Sequence, residues 1–460
     1  MPLKDYDADF LEKRIRERID RLAEPHADCI NADEYLPYCD TYEYCGETVK
    51  DYSIAVQKAL NEHPGVEIPY HSEPLYFRHC IKINSGNTLR VHPETRMIFT
   101  RDGVMLRNRN VLDGRFREVS PGDSSDRDIS VTGGIWEAPE SVIINCRETF
   151  DGGSDGLFLF SNVIGCRFEH VTIRHSRRMG LMIGNCSGFL INDICFAEDQ
   201  NRDGIHVEGP ASWGVIRDIR GLTGDDIVAL NAWNWKAGRL TFGGIHDIIV
   251  EKINCLPGHL WSEMRLLPGN YVFPDGSMTE CPVFNTVFQD ITGVHTFKLY
   301  YQPDWTPDGK NDKSFGPGLI HNLFFRRIRM DYYPANTYYT AKNACFEIHA
   351  NGGEIHLSDI DVSYPLADLA YSDYRFVAVG PNSATWKYSD NPEDWVEFFD
   401  PDRDCHIDGV TMTNITVQGE RCNDPDLLIL IRKLTVNPDY PRKTPAGGTG
   451  RGTVRNIKII

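Results

Sequence analysis

The sequence has no long apolar run. No stretch approaches the roughly 18 apolar residues that a membrane-spanning helix needs, so we expect no membrane partner. The first residues, MPLKDYDADFLEKRIRERIDRL, also lack the short apolar core of a secretory signal. The simplest expectation from these two absences is a cytoplasmic protein.

Positive charge is scarce relative to negative charge. The 460 residues include 48 Lys and Arg against 66 Asp and Glu, which gives a formal net charge of −18. Such a chain repels phosphate backbones, and this argues against nucleic acid as a partner. The oligomeric state cannot be derived from the composition.

Metal-binding and disulfide patterns are missing too. The 13 cysteines form no CxxC pair, and the sequence contains no HExxH. Cys166, Cys186 and Cys195 lie in apolar segments, where a free thiol behaves as a small hydrophobic group. We therefore expect neither a metal nor a cofactor.

Helical patterning is confined to the N-terminal part of the sequence. The segment DFLEKRIRERIDRLAE places Leu11, Ile15, Ile19 and Leu22 at helical spacing. A second helix is predicted in YSIAVQKALNEHPG, before Pro64–Gly65. A solenoid needs a cap over the open end of its core, and we expect residues 1–65 to form this cap and residues 66–460 the main domain.

One short pattern recurs in the rest of the chain: an apolar residue, two residues that are usually polar, then Ile or Val. The first three copies begin 23 and 25 residues apart, and later gaps are 32 to 55 residues. This period leaves no room for helices between the early copies and predicts an all-β parallel solenoid of about ten coils. A leucine-rich repeat would need Leu positions and an Asn ladder that are absent, and a β-propeller would need longer repeats. The nine copies are Phe168–Val171, Ile191–Ile194, Ile216–Ile219, Val250–Ile253, Phe288–Ile291, Phe325–Ile328, Leu357–Ile360, Met412–Ile415 and Val454–Ile457.

Two long insertions interrupt the repeat. They cover about residues 303–318 and 365–405, and both are rich in aromatic residues, Asp and Pro. Long structured loops on a solenoid commonly form a binding wall on one face, which is the role we expect for them.

Three acidic residues occur in the most strand-like region. Asp203 precedes Asp225 and Asp226 by 22 and 23 residues, close to one period of the repeat. Residues one period apart stack at the spacing of about 4.8 Å between neighbouring strands. An inverting glycosidase needs two carboxyl groups roughly 6.5 to 9.5 Å apart, which one coil step with a sideways offset would supply. Crowded carboxyl groups also keep one another partly protonated, so that an acid and a base can coexist.

The ordered motifs resemble those of the polygalacturonases, glycoside hydrolase family 28. The likeness covers roughly residues 45–300 and is carried by DISVTGGIWEAP, Asn201-Arg-Asp-Gly204, GDDIVALN and Cys255-Leu-Pro-Gly-His259. It implies a right-handed parallel β-helix and inverting hydrolysis of a glycosidic bond. It also implies that Asp225 is the general acid and that Asp203 and Asp226 hold and activate the water.

The resemblance further implies substrate-binding residues. His259 follows Cys255 at the distance of the family's Gly-His. The family's Arg-Ile-Lys triplet, which grips a uronate carboxylate, is not intact, and the equivalent coil reads HTFKLYYQ with Lys298 and Tyr300. Arg265 is another cation one coil earlier. Galacturonate as the substrate is therefore left open.

Other side chains are candidates for sugar contact. His206 alternates with Ile205 and Val207 and should face outward into the cleft. A group of aromatic residues follows the acidic motifs and could stack on sugar rings or simply pack. The members of this group are Trp233, Trp235, Tyr300, Tyr301 and Trp305.

Three functions compete at this point. The first is an inverting glycoside hydrolase, exo-acting on a short oligosaccharide. The second is a polysaccharide lyase or epimerase on the same fold, in which carboxylates hold Ca²⁺ and a basic residue abstracts a proton. The third is a carbohydrate-binding solenoid without catalysis. The acids favour the hydrolase, with an oligosaccharide as its partner.

Overall fold

The structure is a computed structural model of the chain. No described helix combines the length and apolar character needed to cross a membrane. The structure describes residues 6–101, 103–111, 125–139, 156–176, 178–197, 202–233, 241–256, 263–272, 275–300, 316–331, 344–366, 375–380, 385–386, 396–397, 403–431 and 450–460.

The chain divides into two compact units. The N-terminal unit comprises Lys13–Val228 and Ala237–Thr241, and the C-terminal unit comprises Met1–Glu12, Ala229–Lys236 and Phe242–Ile460. The helices are α1 (Ala8–Ile19), a 3₁₀ helix (Ala32–Tyr38), α2 (Tyr52–Glu62) and the short α3 (Pro425–Leu428).

Parallel strands build the N-terminal unit. The strands β4, β7, β9, β10, β11 and β12 pair in parallel in that order. Phe168 pairs with Ile191, and Ile191 with Ile216, so the first position of the repeat stacks directly from coil to coil. The strands are β1 Ile30–Asn31, β2 Thr41–Tyr44, β3 Glu47–Lys50, β4 Gly65–Ile68, β5 Leu75–Phe77, β6 Ile81–Ile83, β7 Thr88–Phe99, β8 Leu106–Asn108, β9 Asp126–Ala138, β10 Gly156–Ser176, β11 Met179–Ala197 and β12 Ile205–Gly221.

The C-terminal unit repeats this arrangement in two parallel ladders. One ladder runs through β14, β18, β21, β23, β27 and β30, and the other through β15, β19, β22, β24 and β29. The strands are β13 Val228–Asn231, β14 Ile245–Cys255, β15 Glu263–Leu267, β16 Gly269–Val272, β17 Met278–Cys281, β18 Val283–Val294, β19 Thr296–Tyr300, β20 Gly316–Pro317, β21 Leu319–Met330, β22 Ala344–His349, β23 Asn351–Val362, β24 Arg375–Val379, β25 Thr385–Trp386, β26 Val396–Glu397, β27 Cys405–Val417, β28 Glu420–Arg421, β29 Ile429–Ile431 and β30 Gly452–Ile459.

Apolar residues stack in files inside the C-terminal unit. The rings of Phe288 and Phe325 are parallel at 4.8 Å, and those of Phe297 and Phe346 are parallel at 4.9 Å. All four side chains are fully buried. This stacking of equivalent residues on successive coils confirms the predicted parallel β-helix.

The repeat marks a corner of each coil. In all nine copies the third residue has a left-handed backbone, with φ between 52° and 60°, whereas the first and fourth residues are apolar. Most of these corner residues are Asp or Asn, which tolerate this conformation better than other side chains do. The corner residues are His170, Asp193, Asp218, Lys252, Asp290, Arg327, Asp359, Asn414 and Asn456.

Helix α2 contacts the early strand β6. The side-chain amide of Gln57 in α2 donates to the Lys82 carbonyl (3.0 Å) and accepts from the Lys82 N–H (2.7 Å). The segment after α1 instead lies along β10, where Arg167 donates to the carbonyls of Leu22 and Ala23. Thus α2 contacts β6 and the segment that follows α1 runs beside β10, whereas the division into a cap of residues 1–65 and a main domain of residues 66–460 stays a prediction.

The left-handed corners lead to a stability prediction. Lys252 is exposed at φ 53°, where a β-branched side chain is strained. We expect Lys252→Val to lower the free energy of unfolding by about 1–3 kcal/mol, and Lys252→Asn to change it by less than about 0.5 kcal/mol. Chemical denaturation measures both.

The matched control is Asn254→Val. Asn254 is an exposed residue of the same strand, with an extended backbone. A similar loss of stability in Lys252→Val and Asn254→Val would contradict a special role for the corner.

Candidate functional site

The three predicted acids lie on two directly stacked segments of the N-terminal unit. The N–H of Gly204 donates to the Asp226 carbonyl (2.9 Å), and the N–H of Ile205 donates to the Ile227 carbonyl (3.0 Å). A Cβ on Gly204 would come within 2.7 Å of the Ile227 carbonyl oxygen. The glycine after Asp203 is therefore needed for the close approach that places the acids together.

The carboxylates form one cluster. One oxygen from each of Asp203, Asp225 and Asp226 lies within 4.8 Å of the others. These oxygens are closer than the roughly 6.5–9.5 Å expected between the carboxyl groups of an inverting enzyme. The reason is that the two segments stack without the sideways offset that the sequence analysis assumed.

The acids differ in exposure. Asp203 and Asp226 are 1% and 0% exposed, whereas Asp225 is partly exposed. The N–H of Asp226 donates to Asp225 Oδ1 (3.1 Å), and the Thr223 hydroxyl donates to the Asp225 carbonyl (2.7 Å), so the turn itself orients Asp225. Of the three carboxylates, Asp225 is the one that a large substrate can reach.

His206 is buried, which differs from the expected position in an open cleft. Its neighbours Ile205 and Val207 are in the core, so the predicted alternation is correct, but His206 itself is only 1% exposed. The reason is that the ring lies between two carboxylates. Nδ1 is 2.6 Å from Asp203 Oδ2, and Nε2 is 3.7 Å from Glu208 Oε1.

Glu208 is a site residue that the sequence analysis missed. Its Oε2 accepts a hydrogen bond from the N–H of Thr241 (3.2 Å). Burial alone would lower the pKa of His206, but hydrogen bonds and charge from Asp203 and Glu208 raise it to about 9. The sequence does contain a signal for Glu208: it follows His206 by two residues, and residues two apart on a strand share one face.

The cluster is also compact enough to admit a divalent cation between its oxygens. The His206 ring, however, already occupies one side of Asp203, with Nδ1 2.6 Å from Asp203 Oδ2, and these contacts raise the pKa of His206.

Two predicted substrate-binding residues lie in the C-terminal unit. Arg265 and Lys298 are register neighbours on β15 and β19, and both are buried. Lys298 forms an ion pair with Glu263, whose Oε1 is also 3.0 Å from His295 Nε2. The next coil places Glu347 in register with Lys298. Both acids lie on strands other than that of Lys298, so the sequence analysis did not associate them with it.

Aromatic candidates in the described residues are packed rather than open. Tyr300 is buried in register with His349. Trp233 is fully buried, with its ring centroid 5.7 Å from that of Phe242. Both positions correspond to the packing alternative for this group.

Several predicted residues fall outside the described part of the chain. They are His259, Trp235, Tyr301 and Trp305. The insertions at 303–318 and 365–405 also lie largely outside the described residues. Their roles stay predictions.

Comparisons with known proteins bear on the fold. No protein-family model and no curated protein matches the chain. Among solved structures, a hyperthermoactive exopolygalacturonase from Thermotoga maritima is similar at a TM-score of 0.54 and 13% identity, covering 90% of this chain and 97% of that one. A tailspike protein mutant of E. coli bacteriophage HK620 is similar at 0.52 and 9% identity, covering 98% of this chain and 71% of that one.

At these identities the likeness concerns the fold. Another mutant of the same tailspike, in complex with a hexasaccharide, is similar at a TM-score of 0.52 and 9% identity. The resemblance read from the sequence is confirmed at this level: the chain has a polygalacturonase-like, parallel β-helix fold.

Proposed function

We propose that the chain is a glycoside hydrolase whose acid–base groups are Asp203, Asp225 and Asp226. The observation that carries this proposal is the cluster of three carboxylates within 4.8 Å on stacked segments. Turn preference explains single Asp residues at coil corners but not three converging acids. The folds of an exopolygalacturonase and of a tailspike that binds a hexasaccharide support a carbohydrate substrate. Because one fold hosts many functions, the proposal rests on the cluster of carboxylates and not on the fold.

The exposures suggest a role for each acid. Asp225 reaches the surface and protonates the glycosidic oxygen as the general acid. Asp203 and Asp226 are too deeply buried to attack the anomeric carbon of a sugar, but a water molecule is small enough to be held between them. They accept its proton as it attacks. This division of roles gives inversion at the anomeric carbon despite the short separation of the acids.

The proposal extends to exo action on a short oligosaccharide. The two long insertions suit a closed subsite, and a cytoplasmic enzyme would meet short imported sugars. Recognition of galacturonide stays a prediction, because Lys298 already has Glu263 as a partner.

Removal of the general acid is the direct test. We expect Asp225→Asn to lower kcat by roughly 10²–10⁴-fold on a natural-type linkage, because the leaving group is no longer protonated. A leaving group that needs no proton should restore part of the rate. The assay is sugar release from a panel of oligosaccharides.

The matched control is Asp218→Asn, at a corner of β12 with φ 56°, where Asn is tolerated. This variant should retain wild-type rates. Near wild-type rates in Asp225→Asn would refute the assignment. Calcium-dependent formation of a product that absorbs ultraviolet light through a new C=C bond would indicate a lyase. Binding of an oligosaccharide without its turnover would indicate a non-catalytic solenoid.

Exo action has its own test. A labelled oligosaccharide of about six sugars exceeds an ordinary small-ligand pocket. We expect monosaccharide or disaccharide to accumulate from one end at the earliest times in a chromatographic time course. Mid-sized fragments that precede the small products would show an open groove and contradict exo action.

A further inference from the structure

His206 belongs to a buried chain of polar contacts behind the acids. The chain begins at Asp203, passes through both ring nitrogens of His206 to Glu208, and ends at the backbone N–H of Thr241. Asp203, His206 and Glu208 are each no more than 1% exposed. A substrate therefore has no access to the ring, and the expected sugar contact is replaced by a contact with an acid of the site.

The geometry favours two protons on the ring, because Nδ1 is at hydrogen-bond distance from Asp203 and Nε2 is at ion-pair distance from Glu208. A neutral imidazole has one N–H and can donate in one direction only. In His206, each ring nitrogen faces a carboxylate oxygen, at 2.6 Å and 3.7 Å. Glu208 also accepts the N–H of Thr241 (3.2 Å), which holds its carboxylate in place beside the ring. On β11 the described neighbour in register is Met182, which carries no charge.

We propose that His206 is a positioning residue: as an imidazolium held by Glu208, it orients Asp203 and keeps it ionised to accept the proton of the attacking water. This inference rests on the proposed hydrolase function and adds two residues to it. His206 and Glu208 are buried and act through Asp203. The raised pKa of His206, about 9, is consistent with the doubly protonated ring.

The pH dependence follows from the sign of that shift. The pKa of His206 is raised from 6.5 to about 9, so the imidazolium is present at neutral pH and is lost as the pH rises through about 9. The contribution of His206 to the rate should disappear on the alkaline side. Removal of the positive charge should also move the acidic limb of the profile to higher pH, because a carboxylate base is ionised less readily without a cation beside it.

The kinetic experiment uses His206→Asn, which retains an amide donor toward Asp203 but removes the charge. We expect kcat to fall by roughly 10- to 100-fold with KM changed less than about threefold, and the acidic limb to move up by about one pH unit. Glu208→Gln should move the limb in the same direction. The matched control is His170→Asn, because His170 Nδ1 lies 2.8 Å from Asp193 in an exposed pair.

A second measurement keeps the inference independent of turnover. Nitrogen-15 spectra of labelled histidine should show a His206 ring that is doubly protonated at pH 7, and Glu208→Gln should lower the pH at which it deprotonates. A neutral ring at pH 7 would overturn the proposal. The proposal would also be overturned if His206→Asn lowered the folded fraction but left the kcat of the folded protein and its pH profile unchanged. That result would indicate a structural role for His206.

The two readouts separate this proposal from the proposed function. A wild-type protein that hydrolyses no oligosaccharide but has a charged His206 would refute the hydrolase, and with it the positioning role. A hydrolase with a neutral His206 would refute the positioning role alone.

Discussion

Backbone hydrogen bonds between successive coils hold equivalent residues about 4.8 Å apart, and the other features of this protein depend on that spacing. In the core this spacing stacks equivalent apolar side chains of successive coils on one another, as in the parallel rings of Phe288 and Phe325. At the site it brings Asp203 to Asp226 through the hydrogen bond from Gly204. The same backbone constraint thus produces both the stability of the coils and the crowding of the acids.

Stacking also imposes a rule on charges, because like charges on neighbouring coils would repel. Several buried charges in the described residues pair with the opposite sign. Buried Glu137 accepts hydrogen bonds from Arg96 and Arg174, and Lys298 pairs with Glu263. The acids at 203, 225 and 226 lie close together on stacked segments, and the His206 ring contacts Asp203. Perturbed charges of this kind concentrate at functional sites.

The sequence predicted those features that follow from period alone. The apolar–polar–polar–Ile pattern marks the coil corners, and the separation of Asp203 from Asp226 places their carboxylates together. Both need only the length of one coil. The sequence could not predict that the segments carrying Asp203 and Asp226 stack without a sideways offset. This stacking depends on the hydrogen bond from the Gly204 N–H to the Asp226 carbonyl.

Burial of polar side chains was the other limit. Alternation correctly placed His206 opposite the core, but whether that face is open depends on Glu208 and on Thr241 from a distant part of the chain. Likewise, the sequence offers Lys298 as a cation for a substrate, whereas in the structure Lys298 pairs with Glu263 of another strand. Partners far apart in sequence cannot be recognised from periodicity.

The central claim is that Asp203 and Asp226 activate a water molecule while Asp225 supplies the proton. The anomeric configuration of the first product, followed by proton NMR from the start of hydrolysis, tests it most directly. The account predicts inversion, because water attacks from the side opposite the leaving group. Retention of configuration would require an aspartate to bond to the anomeric carbon, and would contradict the account.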